Sequence, residues 1–281
     1  MIELLSEMFS YTFLVRAVIV GFLVSICASL LGVSLVLKRY SMIGDGLSHV
    51  GFGSLAIASA LNLAPLAVSI PVVVGAAFIL LRISENSKIK GDASIALMST
   101  SAMAIGVLVI SMTSGLTMDV CNYMFGSILA MSESDVYLSV VLSIIVLILF
   151  IVFYNKIFAV TFDENFSRAT GVQAGVYNML IALLTAVTIV LGMRMMGALL
   201  ISSLIIFPSL TSMRLCKTFK SVIICSSFVS VICFFIGIII SYLYAAPTGA
   251  TIVGVNIIVF CAFSIAATIK RRRILPQRRI L

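Results

Sequence analysis

Apolar runs of membrane-crossing length recur along most of the chain, separated by short polar interruptions that carry most of the charge. Nine runs are candidate spans, at roughly residues 12–37, 47–63, 65–83, 93–114, 134–155, 175–193, 196–213, 220–244 and 248–269. A helix needs about 20 apolar residues to cross a bilayer. Transmembrane barrel strands would instead alternate over about 10 positions, and no such alternation is present. The pattern predicts an all-α, polytopic helical membrane protein with about nine transmembrane helices. It predicts a single transmembrane domain over residues 1–281, with no room among them for a second soluble one.

Three interruptions depart from the regular spacing. Residues 121–131 are apolar but too short to span, and predict an interfacial or re-entrant helix. Glu133 and Asp135 follow at the next helix's start, where acids suit the helix dipole. Residues 192–197, with glycine at each end, predict a very tight outer turn. Pro65 and Pro71 fall near the start of the third span, where a missing N–H is tolerated. Small residues within spans, as in Gly51-Phe52-Gly53-Ser54, allow helices to approach closely.

Composition agrees: 62% of residues are hydrophobic and 10% charged, against about 25% charged in soluble domains. The net charge of +8 could suggest a nucleic-acid partner. Its distribution points to membrane orientation instead. With the N-terminus outside and the C-terminus inside, 16 of 18 Lys and Arg are cytoplasmic, leaving Arg16 and Arg194 outside. Eight spans with the N-terminus inside is the alternative, and it requires Lys38 and Arg39 to face out or one short span to be re-entrant. The basic tail at 270–281 suits anionic lipid headgroups. The acidic start of the chain does not look like a cleavable signal peptide. The six cysteines are scattered, as expected of small buried hydrophobes.

The chain's single histidine, His49, stands four residues after Asp45. On a helix these positions share a face, with Cβ atoms about 5–6 Å apart. A carboxylate and an imidazole suit a divalent Zn, Mn or Fe ion, with further ligands from another helix, water or substrate. The other reading is structural: Asp45 caps the second span and His49 pairs with it. The charge pattern sets Asp45 near the cytoplasmic end of its span, whereas transport sites favour the midplane.

A second candidate lies in the longest cytoplasmic loop, at about 156–174. Thr161 followed by Glu164 predicts a capping box, and Gly171 a helix stop. A short helix there, with Phe162 and Phe166 to insert, either docks into a groove on a soluble partner or lies on the lipid surface.

The run from Leu37 to His49 (Leu-Lys-Arg-Tyr-Ser-Met-Ile-Gly-Asp-Gly-Leu-Ser-His) resembles the basic–GDALSHA signature of the permease subunit of manganese/zinc/iron ABC importers. The stretch Phe162 to Val172 matches the same family. Met196 to Ile201 followed by Pro208 to Ser212 is similar to its GALLI…PAATA run. The resemblance spans about residues 12–270. It implies that Asp45 and His49 coordinate the transported metal. It implies too that Phe162, Asp163, Glu164, Phe166, Arg168, Ala169 and Gly171 belong to a coupling helix at about 163–171 that contacts an ATPase. The implied assembly is a permease homodimer in a bacterial cell membrane, with two ATPase subunits and an extracellular metal-binding protein. Gly46 and Val50 depart from the signature's alanines, and Ser209-Leu210-Thr211-Ser212 from Ala-Ala-Thr-Ala; neither removes a ligand.

No Walker A pattern occurs, so the chain is not expected to be an enzyme, to hydrolyse ATP itself or to carry a resident cofactor. The alternative function is a proton-coupled secondary transporter using Asp45 and His49 as a proton relay, which leaves the 161–171 helix without a purpose. An intramembrane hydrolase lacks a nucleophile or ligand set. The methionines around Arg194 could suggest copper but suit core packing better.

Overall fold

The computed structural model describes residues 10–86, 91–113 and 132–274. Among these residues the chain forms eleven helices and no strand. In chain order they are α1 (Thr12–Leu37), α2 (Ser41–Ala60), α3 (Pro65–Asn86), α4 (Gly91–Thr113), α5 (Glu133–Val152), α6 (Tyr154–Phe162), α7 (Glu164–Ala169), α8 (Ala174–Met196), α9 (Ala198–Leu215), α10 (Phe219–Tyr244) and α11 (Thr248–Ile274). Seven of them (α1, α3, α4, α5, α8, α10 and α11) are long and apolar enough to cross a membrane. The two remaining apolar runs form α2 and α9, which pack in the bundle without reaching that measure. The segment 121–131, expected to be interfacial or re-entrant, and the tail beyond 274 lie outside the described residues.

Helix α1 is the axis of the bundle, in contact with α5, α8, α9 and α10. Its most apolar stretch is 72% buried, against 11% for α11 on the periphery. The exposed faces carry Leu97, Leu108, Ile148, Ile151, Ile258 and Ile265, a surface that water would penalise and lipid tails accept.

Between lipid-embedded helices, van der Waals contact and hydrogen bonds replace the hydrophobic drive. The glycines show where contact is tightest. A Cβ on Gly32 would lie 2.0 Å from the Ile205 carbonyl oxygen, so α1 and α9 touch backbone to backbone. A Cβ on Gly53 would lie 2.6 Å from the Ala102 carbonyl oxygen, closing α2 against α4. Serines add bonds between the same helices: Ser230 Oγ donates to Ser25 O at 3.0 Å and Ser226 Oγ to Ser29 O at 3.4 Å, joining α10 to α1.

Two turns differ from expectation. Helix α2 begins at Ser41, six residues before the apolar run that predicted it. Lys38, Arg39 and Tyr40 make a Schellman turn: Arg39 N–H reaches Val36 O (3.1 Å), Tyr40 N–H reaches Leu35 O (2.8 Å), and Arg39 takes the left-handed position at φ 61°. That compact reversal lets α2 start at once. The α8–α9 turn is tighter than foreseen, a single residue, Gly197, at φ 85° and ψ 161°, a conformation open essentially only to glycine. The turn is buried, and beside it Met196 packs on Gly21, nine residues into α1.

Gly32→Ala is expected to lower the melting midpoint of the detergent-solubilised chain by several degrees or to prevent its accumulation. Gly75→Ala, in α3 with open space around its Cβ position, should leave the midpoint unchanged or raise it, since alanine is about 1 kcal/mol better than glycine in a helix.

Candidate functional site

Because α2 starts at Ser41, Asp45 is a helical residue in its second turn and caps nothing; the N-cap position belongs to Tyr40. His49 lies eight residues on from Ser41, about 12 Å along a helix about 30 Å long. The earlier start moves the pair toward the helix centre. Nε2 of His49 is 3.7 Å from Oδ2 of Asp45, too long for a hydrogen bond. Two ligand atoms each about 2.1 Å from one metal in tetrahedral array are about 3.4 Å apart, so a small side-chain movement would let one ion bridge them. Ser202 of α9 faces the same carboxylate, its Oγ 3.4 Å from Oδ1 and 3.5 Å from Ser48 Oγ. The Asp45 side chain is 41% exposed and that of His49 20%. Among the described residues no third His, Cys, Asp or Glu joins them. Beyond Ser202 an open apolar cleft of about 610 Å³ runs between α9 and α11, lined by Ser203, Phe207, Gly249 and Val253 among others.

The loop at 156–174 is mostly helical. α6 runs through Phe162, which packs with Phe158 against Phe219 of α10 at ring distances of 5.7 and 5.2 Å. Thr161 therefore lies in the last turn of α6, and the expected Thr161–Glu164 box does not form. Asp163 caps α7 instead, its Oδ1 accepting from Phe166 N–H at 2.9 Å. Gly171 ends α7 at φ 81°, with Gly171 N–H on Arg168 O (3.1 Å) and Val172 N–H on Ser167 O (2.9 Å), another Schellman turn. Phe166, Arg168 and Ala169 are exposed. Glu164 turns inward: Oε2 lies 3.5 Å from Lys38 Nζ and accepts from Asn178 Nδ2 at 3.1 Å, while Oε1 takes Arg168 at 2.6 Å. Lys38 also donates to the Asn178 side-chain oxygen. Partial burial pushes the Glu164 carboxyl upward, but the hydrogen bonds from Asn178 and Arg168 and the charge of Lys38 outweigh it and hold the group below its ordinary value.

At the other end of α1, Arg16 bonds Glu133, and Arg194 lies 3.6 Å from Asp135. The acids of the α5 start thus serve both arginines, and Ser132 and Asp135 close a capping box there.

The model of the ABC 3 transport family matches residues 10–267. The chain belongs to that family. It is similar to the manganese import system permease protein ScaB of Streptococcus gordonii, at 27% identity over 92% of each chain. It is 26% identical to the high-affinity zinc uptake system membrane protein ZnuB of Haemophilus influenzae, over 86% of this chain and 93% of that one. Its structure superposes on PsaBC from Streptococcus pneumoniae, solved in complex with Fab, with TM-score 0.84 and 28% identity over 94% of this chain and 95% of the other. The protein is thus a permease of the metal ABC importers.

In this ABC 3 permease the residues that sequence reasoning missed are Ser202, Lys38 in its buried role, and Asn178. Ser202 directly follows the GALLI-like run, so a polar residue at that point was the available signal. Lys38 reads as one more inner-face positive charge, and only the fold shows it buried. Gly46, where the family signature has alanine, also has a local reason: a Cβ there would lie 2.6 Å from Ile95 Cγ2 of α4. Met193 and Met196 are buried packing against Gly51 and Gly21.

The lowered Glu164 value gives a pH test. A depressed carboxylate contributes stability above its unfolded value, about 4.3, and loses it as pH falls through the folded one. Brief pepsin pulses should therefore show cleavage at residues 162–166 rising as the pH drops below about 4. Glu164→Gln should be cleaved readily across that range, with no comparable step.

Proposed function

We propose that Asp45 and His49 hold a divalent Mn, Zn or Fe ion on its way through the membrane, with energy delivered by a separate ABC ATPase docking on α7. The observation that carries this reading is the pair itself: two metal-suited side chains 3.7 Å apart on one helix face, left partly exposed by a bundle of membrane-spanning helices. An ionisable pair in such a setting needs water, a cation or a second protein surface beside it. A second copy of the chain related by a two-fold axis beside this face of α2 meets that need, since it brings two Asp45/His49 pairs together and supplies four protein ligands. Carboxylate and imidazole suit Mn, Zn and Fe alike.

In this reading nine helices cross a bacterial cell membrane, with the N-terminus outside and the C-terminus inside. Arg16, Glu133, Asp135 and Arg194 then face outward, where an extracellular metal-binding protein delivers the ion. Residues 162–171 face the cytoplasm. Phe166, Arg168 and Ala169 form the docking surface, Phe162 braces it, and Asp163 and Gly171 set its ends. ATP-driven movement of the partner shifts the helices between outward- and inward-facing states.

The test is uptake of radiolabelled Mn and Zn by cells expressing the chain with its ATPase. Asp45→Ala and His49→Ala are each expected to cut uptake of the transported metal about ten-fold or more while the complex still assembles. Unaltered uptake in both would make the pair structural.

A further inference from the structure

Lys38 has no part in the ion path or in the docking surface of α7, yet its side chain is only 7% exposed. It is the first residue after α1 and opens the turn whose far side is the start of α2. Its Nζ sits in a crevice lined by Leu35, Tyr40, Ile43, Leu81, Ile181 and Ala182, with about 20 Å³ of free space. That is room for about one water. The ammonium's neighbours there include the Asn178 side-chain oxygen and Glu164 Oε2, with the Tyr40 ring 6.0 Å away.

From the side of α7, Glu164 ties the helix to the bundle through both Lys38 and Asn178. The helix has six residues, of which Ser167 is the buried one, so apolar packing holds it weakly. Both its ends are closed by hydrogen bonds, the Asp163 cap at one and the Schellman turn at Gly171 at the other, so it moves as one piece. A charge-assisted bond is directional and strong where water is excluded. Asn178 bonds both Lys38 and Glu164, so a displacement of Glu164 is passed to Lys38 directly and through that amide.

We propose that Glu164, Lys38 and Asn178 form the link through which movement of α7 reaches the α1–α2 turn, making Glu164 and Lys38 positioning residues for transport. The inference rests on the reading of α7 as the ATPase-docking helix. The far side of the link is stiff. The Schellman turn at Arg39 clamps Lys38 to the start of α2, and Asp45 follows four residues after Ser41, about 6 Å along that helix. A shift of Lys38 therefore re-aims the carboxylate with respect to Ser202 on α9.

The experiment uses the permease reconstituted with its ABC ATPase in proteoliposomes. It reads ATPase capture, ATP hydrolysis, and Mn or Zn taken up per ATP hydrolysed. Glu164→Gln and Lys38→Met are expected to capture the ATPase and sustain hydrolysis while metal per ATP falls at least about five-fold. The charge-reversed pair K38E/E164K is expected to recover most of that loss. Glu164→Asp keeps the charge at the start of α7 but withdraws it from Lys38, so it too should lower the ratio, and it covers the case in which the first variants fail to fold. Wild-type ratios in Glu164→Gln or Glu164→Asp would overturn the proposal, as would a reversed pair no better than the single variants. Loss of ATPase capture in Glu164→Gln would overturn it by making Glu164 a docking contact. A wild-type permease that captures no ATPase would instead refute the proposed function itself.

Discussion

Lipid tails are as apolar as leucine, so membrane helices gain little by hiding apolar faces from them. What holds this bundle is how closely its backbones approach, and the positions of Asp45 and His49 follow from that. Gly32 lets α9 lie against α1 and Gly53 lets α4 lie against α2. Gly197 reverses the chain in one residue so that α9 descends beside the core it has just left. Ile205 stands against both Gly32 and Gly44, which fixes α9 beside the start of α2 and brings Ser202 to the Asp45 carboxylate. Remove the close contacts and the carboxylate loses its neighbour.

Charge is sparse, and ion pairs tie helices together at both ends of α1. Arg16 with Glu133 and Arg194 with Asp135 tie α1 and α8 to the start of α5. At the opposite end of α1, Lys38, Asn178 and Glu164 tie a short, thinly packed helix to the bundle. Breaking a buried ion pair by removing one partner costs about 3–5 kcal/mol, an upper bound here because Glu164 is partly exposed. Asp45 and His49 are held more loosely. They are 3.7 Å apart, partly exposed and short of further protein ligands among the described residues, an arrangement suited to an ion that arrives and leaves.

Much of this was legible in the chain. Each of the nine apolar runs has its helix, and Asp45 and His49 lie on one helix face as their spacing requires. The start of α2 was hidden because residues 41–48 mix glycine, serine and aspartate, so hydropathy placed the boundary at 47 and left Asp45 looking like a cap. The Thr161 box failed for a related reason: Asp163 is an equally good cap two residues later, and aromatic packing with Phe219 carries α6 past Thr161. Lys38 and Asn178 are 140 residues apart, and Ser202 and Asp45 are 157. No periodicity in one sequence encodes pairings at that distance, and Lys38 in particular reads as another inner-face cation until the fold buries it.

With a single histidine in the chain, an imidazole signal from bound metal has one source. Zn K-edge X-ray absorption of the chain, purified through a histidine-free tag in lipid nanodiscs and loaded with one equivalent of zinc, tests the central claim most directly. A nitrogen/oxygen first shell with the outer-shell scattering of a coordinated imidazole, lost in His49→Ala, is the predicted result. A spectrum without imidazole scattering, or one unaltered in His49→Ala, would place the ion elsewhere and contradict the account.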